Sequence, residues 1–230
     1  MKAAPRPLQI GLMVPANNTT MEGELLKWLP EGSSCRTLKI PRAAGMLTKE
    51  TVPAYKASAL ELARQFDGLD LDMVVYGCTA AGFIYGPKGD AELASQLAAV
   101  TGKPVITTAS AMVRVLEECG AKQIAVVTPY HDHVNERLTA FLDASDIRVK
   151  RLSSFKAANV EALGRITADE VAQRARDTMS ADCDAMFIAC SQLPTHAILD
   201  GLRAELGRPV CSSIQASAWA TAKMPERKSA

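Results

Sequence analysis

The chain has 230 residues, with 26 Lys and Arg against 25 Asp and Glu, so its formal net charge is +1. Hydrophobic residues make up 48% of it, which suits one large domain or two smaller domains that each bury a core. The balanced charge argues against nucleic acid or an anionic membrane as the main partner. No apolar run reaches the ~18 residues of a membrane-spanning helix. The N-terminal segment lacks the apolar core of a signal peptide, so a cytoplasmic location is predicted.

Short runs rich in Val and Ile alternate with longer helical stretches, which is typical of a parallel α/β fold. Strands are predicted at residues 8–15, 35–40, 72–78, 104–108, 123–129, 147–153, 184–190 and 209–213. Helices are predicted at residues 53–66, 92–100, 110–119, 133–144, 168–179, 195–206 and 215–223. Pro53 fits the first turn of its helix, and Gly102 fits the position just after another.

Three sequence patterns occur twice, in the same order and at nearly the same separation. QIGLMVP at Gln9 returns as QIAVVTP at Gln123, and DMVVYGCT at Asp72 returns as DAMFIACS at Asp184. The third, TGKPVITTASA, returns as LGRPVCSSIQASA. The repeat predicts two pseudo-symmetric halves, each a four-stranded parallel sheet flanked by helices, with the active site in the cleft between them.

The proposed division assigns residues 1–115 and 208–230 to the first half and residues 116–207 to the second. Ligands of open α/β sheets bind beyond the carboxyl ends of the strands, so the cleft should lie at those ends.

Six cysteines need an explanation in a chain of this kind. A disulfide framework is not expected in a long cytoplasmic chain, and no C-x-x-C pair or zinc-type Cys/His spacing occurs. The repeat sets two of them apart, because Cys78 and Cys190 fall at corresponding strand ends. Each is followed by a hydroxyl residue, Thr79 or Ser191, in a turn whose N–H groups could receive a carboxylate. The same N–H groups are expected to lower the pKa of the thiols.

The other four cysteines lack this support and are interpreted as core or surface residues: Cys35, Cys119, Cys183 and Cys211. The pair His131 and His133 has no third ligand in the sequence, so we predict solvent exposure and no metal site. His196 fits the first turn of a helix. Gly-rich phosphate-binding motifs are absent.

At these motifs the chain resembles the aspartate/glutamate racemase superfamily, and within it the maleate cis-trans isomerases and arylmalonate decarboxylases. VPANNTTME (residues 14–22) and YGCTAAGFIYG (residues 76–86) are similar to two of their motifs. So are VVTPYHDHVNERLTAFL (residues 126–142) and ACSQLPT (residues 189–195). The resemblance covers almost the whole chain.

The resemblance also separates the subfamilies. The similar decarboxylases have glycine at the position of Cys78, whereas the racemases and isomerases have both cysteines, as this chain does. It implies substrate-binding roles for Asn18, Tyr130 and Asn159, and Asn17 lies in the same motif as Asn18. One departure is Ile214, where many relatives have asparagine.

The resemblance implies a cofactor-independent isomerisation of maleate to fumarate, with no metal. Cys78 would add to the alkene as a thiolate, giving a succinyl-like adduct that can rotate, and Cys190 would act as acid and base. Hydrogen-bond donors aimed at the developing enediolate would supply the electrostatic stabilisation. The expected partner is a small dicarboxylate, and a homodimer or higher homo-oligomer is implied.

Other interpretations stay open at this point. An Asp/Glu or hydantoin-type racemase would use the same two thiols, but it needs groups that bind an ammonium, and the motifs contain no obvious carboxylate. An arylmalonate decarboxylase is disfavoured by Cys78, and a small-carboxylate binding protein has no use for paired thiols. Without the resemblance, Asn18 and Asn159 fit helix N-caps equally well, and Tyr130 fits a half-buried aromatic residue.

Overall fold

The computed structural model describes residues 6–42 and 45–223. Its strands are β1 (Gln9–Pro15), β2 (Ser34–Ile40), β3 (Met73–Tyr76), β4 (Val105–Thr107), β5 (Gln123–Thr128), β6 (Arg148–Ser154), β7 (Ala185–Ile188) and β8 (Val210–Ser212). Its α-helices are α1 (Met21–Trp28), α2 (Val52–Ala63), α3 (Thr79–Phe83), α4 (Gly86–Thr101), α5 (Thr108–Glu118), α6 (Asp132–Asp143), α7 (Val160–Gly164), α8 (Ala168–Thr178), α9 (Leu199–Leu206) and α10 (Ser213–Ala222). A 3₁₀ turn, Arg64–Phe66, continues α2.

The eight strands form two parallel sheets with matching topology, in the orders β2-β1-β3-β4 and β6-β5-β7-β8. The predicted fold class, two four-stranded parallel sheets flanked by helices, is confirmed. The central strands β3 and β7 are buried at every position, because helices cover both faces of each sheet. The outer strands β2 and β6 are partly exposed, which explains their more polar sequences.

One part of the predicted division needs correction. Residues 208–230 were assigned to the first half, but β8 pairs with β7 and so belongs to the second sheet. The helix that follows, α10, packs mainly against α5 and α1. The chain therefore finishes the second sheet before α10 returns to the first half; residues 224–230 lie outside the described part.

The predicted helix punctuation is observed. Pro53 lies in the first turn of α2, where its missing N–H costs no hydrogen bond. Gly102 follows α4 with a left-handed φ of 62°, and its N–H is bonded to the carbonyl of Ala98. Within the described residues, no helix is both long and apolar enough to cross a membrane.

Candidate active site

Both repeated cysteines line one cavity at the carboxyl ends of the central strands. Cys78 follows β3 and Cys190 follows β7, and both side chains are buried, with 5% and 8% of their surface exposed. The described lining residues are Pro15, Asn17, Asn18, Arg42, Met46, Leu47, Cys78, Thr79, Ala80, Tyr130, His131, Val134, Leu163, Cys190, Ser191 and Gln192. No carboxylate is among these described residues, and many of the lining side chains are apolar.

The first thiol loop is held tightly against β1. Gly77 N donates to the carbonyl of Met13 at 2.7 Å, and a Cβ on Gly77 would lie 2.4 Å from the Met21 sulfur and 2.7 Å from a Val14 methyl group. A side chain at this position is therefore excluded. Cys78 is the N-cap residue of the short helix α3, which sets its thiol beside the first N–H groups of that helix.

The second thiol loop is a non-helical turn. Gln192 N donates to Cys190 Sγ at 3.5 Å, and Leu193 N donates to the carbonyl of Cys190 at 3.2 Å. The Gln192 side chain leaves the turn: its Oε1 accepts from Thr19 N at 2.9 Å, and its Nε2 donates to the Thr19 hydroxyl at 3.1 Å. The turn is thus anchored to the segment after β1 in the other half.

Hydrogen bonds join the two thiol loops directly. Ser191 Oγ donates to the carbonyl of Gly77 at 2.6 Å. Thr79 Oγ1 donates to Ser213 Oγ at 3.1 Å, and that same oxygen accepts from Cys190 N at 3.1 Å. Ser213, the first residue of α10, therefore links both loops. These buried contacts fix the thiols relative to each other.

Asn18 makes the helix-capping contacts that the sequence allows, and it lines the cavity in which a substrate-binding role is predicted for it. Its Oδ1 accepts from the N–H groups of Thr20 and Met21, at 3.1 and 2.9 Å, as a cap at the start of α1. Its Nδ2 lies 3.1 Å from the carbonyl oxygen and 3.2 Å from the hydroxyl of Ser191, and the side chain lines the cavity. Asn18 therefore both starts a helix and holds the second thiol loop in place.

The pKa of each thiol is higher than expected. Burial raises the pKa of Cys78 to about 11, against the opposing effects of the Ala81 N–H, the Tyr55 hydroxyl and the Arg42 charge. Burial also raises the pKa of Cys190, although the N–H of Gln192 acts to lower it. The N–H groups do act to lower the pKa of each thiol, but the prediction that both pKa values are lowered is wrong. Burial destabilises the charged thiolate and raises each pKa by more than the N–H groups lower it.

Tyr130 is fully packed in the cavity wall. Its ring makes an edge contact with Phe83 at 5.6 Å, and 4% of the residue is exposed. Its hydroxyl interacts with both Cys190 and Thr79, and it lowers the pKa of the Cys190 thiol. Burial and the two thiols raise the pKa of Tyr130 well above its usual value, so the phenol is a neutral hydrogen-bond donor.

Two sequence-based expectations differ from the structure here. Asn159 is exposed and is the N-cap of α7, where its Oδ1 accepts from Ala162 N at 2.8 Å, and it is not among the described lining residues. His131, expected in solvent, is half-buried and lines the cavity, whereas its stacking partner His133 is exposed, with the ring centroids 6.3 Å apart. A role of Asn159 in substrate binding stays a prediction.

Three residues near the thiols were missed by sequence reasoning. Arg42 lies just after β2, Tyr55 lies in α2, and Gln192 belongs to the second loop but has no repeat partner of its kind. The only sequence signal for any of these three residues was that Arg42 lies just after a predicted strand, as the two thiols do. Ile214 is fully buried in α10 and is not among the described lining residues.

A second thiol pair lies elsewhere. Cys119 is exposed at the end of α5, and a hydrogen bond with Cys211, a buried residue of β8, lowers its pKa.

Burial raises the pKa of Cys35 to about 12. Among the described residues, no group of three His, Cys, Asp or Glu side chains is placed to hold a metal ion.

The arylmalonate decarboxylase family profile matches residues 10–229. The chain belongs to the arylmalonate decarboxylase family. The predicted relationship to the superfamily of maleate isomerases and arylmalonate decarboxylases is confirmed, as is the prediction of an isomerase-type enzyme.

Individual members of the family are similar over most of their length. The maleate isomerase of Geobacillus stearothermophilus is 28% identical over 225 residues, covering 92% of this chain and 89% of that protein. The arylmalonate decarboxylase of Bordetella bronchiseptica is 30% identical over 178 residues, covering 76% of this chain and 74% of that protein.

A solved structure of the family is similar throughout the fold. It is a Cys-to-Ser mutant of the Nocardia farcinica maleate cis-trans isomerase with a covalently bound succinylcysteine intermediate. The superposition has a TM-score of 0.85 and 25% sequence identity, and it covers 94% of this chain and 91% of the other.

Proposed function

We propose that the chain catalyses the cofactor-independent cis-trans isomerisation of maleate to fumarate. The observation that carries the proposal is a pair of buried thiols, Cys78 and Cys190, in the wall of one cavity whose described lining contains no carboxylate. The succinylcysteine intermediate of the Nocardia farcinica relative supports covalent chemistry at such a site.

The first step forms a bond between sulfur and carbon. Cys78 first loses its proton to solvent water, and the resulting thiolate sulfur adds to one alkene carbon of maleate. The alkene electron pair moves onto the other carbon and its carboxylate, and Cys190 delivers its proton to that carbon. The product is a succinyl thioether, in which the former double bond is single and can rotate.

The second step reverses these movements after rotation. Cys190, now a thiolate, takes a proton back from the carbon it protonated. The electron pair re-forms the double bond in the trans arrangement, and the carbon–sulfur bond breaks to release the Cys78 thiolate. Atoms and electrons balance without an external oxidant or reductant, in keeping with an isomerisation.

Neutral donors are suited to stabilise the charge that develops on the substrate carboxylate. Tyr130 has a neutral buried phenol, and Asn17 and Asn18 place amides in the cavity wall. Preorganised donors in a water-poor site contribute most where charge develops during the reaction. The predicted role of Asn159 in substrate binding has no support from its position, which is exposed at the start of α7 and outside the described lining.

A racemase acting on an amino acid is the main competitor, since it would use the same thiols as acid and base. It is disfavoured because the described lining offers no carboxylate to an ammonium group. We also propose a cytoplasmic location and, on the basis of the family resemblance, a homodimer or higher homo-oligomer.

A substrate panel in deuterium oxide tests the proposal. Maleate, fumarate, an arylmalonate and both enantiomers of aspartate are incubated separately with the protein and followed by proton NMR. We expect conversion of maleate to fumarate and no exchange at the α-carbon of aspartate. Deuteration of aspartate, or decarboxylation of the arylmalonate, with maleate unchanged would contradict the proposal.

A further inference from the structure

Arg42 is the cation in the described wall of the thiol cavity. It follows β2 directly and is half-buried, and it lines the cavity together with Asn17 and both thiols. Its charge acts to lower the pKa of Cys78 and of Cys190, so it lies within electrostatic reach of both. A positive charge in this position also attracts any anion that binds in the cavity lined by both thiols.

The hydrogen-bonding capacity of this guanidinium is largely unused. Nη1 donates a long bond, 3.4 Å, to Asn17 Oδ1, and Nη2 donates to the carbonyl of Gly45. Nε is buried without a hydrogen-bond partner among the described residues. Within the same part of the chain, no carboxylate lies within 4.0 Å of Arg42.

Other arginines of the described chain differ: the guanidinium of Arg174, whose Nε also lacks a partner, lies over the Phe155 ring and donates to Ser153 and Ser154, and two others form ion pairs. Arg176 binds Glu205 at 2.9 Å, and Arg203 binds Asp200 at 2.8 Å, both through surface ion pairs. A partly buried charge with an unsatisfied donor is unfavourable unless a partner supplies the missing hydrogen bonds. Arg42 therefore has the properties of a group whose acceptor is the ligand.

The chemistry of the missing acceptor follows from the side chain. A guanidinium presents two parallel N–H groups that match the two oxygens of a carboxylate. The other polar groups of the described cavity wall, such as Tyr130, Asn18 and Thr79, are neutral and can serve one further carboxylate. A ligand with two carboxylates would use both sets of donors at once.

We propose that Arg42 binds one carboxylate of the substrate through a bidentate ion pair and makes the site selective for dicarboxylates. The inference rests on the proposed function for the identity of the substrate. It assigns the charged half of substrate recognition to a residue outside both thiol loops. The remaining carboxylate, adjacent to the carbon that receives the proton, is left to the neutral donors.

The test separates binding from turnover. Affinities of wild-type protein and of Arg42→Gln, Arg42→Lys and Arg36→Gln variants are measured by calorimetry for maleate, for succinate and for maleamide, in which both carboxylates are amides. Arg36 lies exposed on β2, so Arg36→Gln is a matched control for the loss of one positive charge. The same variants are assayed for kcat and KM with maleate.

We expect Arg42→Gln to weaken binding of maleate and succinate by about 10- to 100-fold, the range for a charge-assisted hydrogen bond. Binding of maleamide, which has no carboxylate for Arg42, should change less than threefold, and the Arg36→Gln variant should resemble wild type. The affinity of Arg42→Lys for the dicarboxylates should lie between those of wild type and Arg42→Gln, because lysine keeps the charge but cannot make two parallel hydrogen bonds.

Two results would overturn the inference. One is unchanged affinity of Arg42→Gln for both dicarboxylates, and the other is an equal loss for maleate and maleamide, which indicates a structural role. Because binding of succinate is measured without turnover, the charge preference can hold even if the isomerase assignment fails. Absence of maleate turnover in wild type would count against the proposed function alone.

Discussion

The two thiol loops occupy matching places in matching sheets, yet their surroundings differ. Cys78 starts a helix, and its thiol interacts with the Ala81 N–H and the Tyr55 hydroxyl. Cys190 starts a non-helical turn, and its thiol interacts with the Gln192 N–H and the Tyr130 hydroxyl. Backbone N–H groups and a phenol thus act to lower the pKa of each thiol, and unrelated parts of the chain supply them.

The proposed mechanism needs such a difference, because it makes Cys78 the nucleophile and Cys190 the acid and base. A symmetric pair would have equal environments and no reason to divide nucleophile from acid. Here Tyr55 comes from α2 of the first half, whereas Tyr130 follows β5 of the second, so each phenol serves the thiol of its own half. The bridging residues Ser213 and Ser191 hold both loops in one arrangement. The following experiments alter one side of the comparison at a time.

The largest effect is expected from removing either thiol. Cys78→Ala and Cys190→Ala should each reduce maleate turnover by about 10³-fold or more, because covalent catalysis and proton transfer each contribute orders of magnitude. Proton NMR of fumarate formation measures the rate. Cys183→Ala, which removes a buried thiol elsewhere, is the matched control. More than about a tenth of the wild-type rate in either active-site variant would break the two-thiol account.

The two phenols should matter unequally. Tyr130→Phe removes a donor that faces the cavity and should lower kcat by about 10- to 100-fold, the equivalent of one strong buried hydrogen bond. Tyr55→Phe removes a group behind Cys78 that is not among the described lining residues, and we expect a loss of less than about tenfold. Steady-state kinetics of both variants checks this. Equal losses would show that the two environments are functionally equivalent.

The pH dependence of alkylation tests the state of Cys78. Because burial raises its pKa to about 11, the thiol is protonated at neutral pH, and alkylation should speed up about tenfold per pH unit between pH 7 and 9. Iodoacetamide labelling followed by peptide mass spectrometry measures it. The Cys119→Ser background is needed, since Cys119 is exposed and its pKa is lowered by Cys211. A rate that is flat above pH 7 would contradict a protonated thiol.

The smallest effect concerns stability. Thr107 and Ser212 are corresponding N-caps, but Thr107 Oγ1 donates to the buried carboxylate of Asp90 at 2.7 Å, whereas Ser212 bonds the neutral hydroxyl of Thr195 at 2.9 Å. Burial raises the pKa of Asp90 to about 6, so the folded state holds its proton more tightly than the unfolded state. The stabilisation of the folded state by protonated Asp90 is present below pH ~4 and is lost as the pH rises to about 6.

From that shift, ionisation of Asp90 should cost about 3 kcal/mol of unfolding free energy between pH 4 and 7. Asp90→Asn keeps the volume and an acceptor for Thr107, so this part of the pH dependence should disappear. Urea denaturation of both proteins at several pH values measures the difference. Parallel pH profiles for variant and wild type would show that Asp90 does not titrate in this range.

Much of the fold could be predicted from the sequence, because central parallel strands are apolar on both faces and the repeat marks equivalent positions. All eight predicted strands are present, within a few residues. The short helix α3 was missed, since TAAGF follows the strand without a polar cap or a helical period. The assignment of β8 to the first half was also wrong, although the third repeated pattern makes its segment the counterpart of β4.

The site was only partly predictable for a related reason. Motifs next to strand ends identify Cys78 and Cys190, since strand ends of a parallel sheet converge. Arg42 and Tyr55 approach the thiols from a loop and a helix whose positions depend on packing of the whole first half. The exposed position of Asn159 follows from where α7 begins, and spacing in the sequence does not specify it.

In the proposed mechanism, Cys78 forms a covalent bond to the substrate while Cys190 moves the proton. The most direct measurement is intact-protein and peptide mass spectrometry of a Cys190→Ser variant incubated with maleate, with Cys78→Ser as the control. We predict an added mass equal to one maleate on the peptide that contains Cys78, and none in the control. An unmodified Cys78, or the same added mass in both variants, would contradict the account.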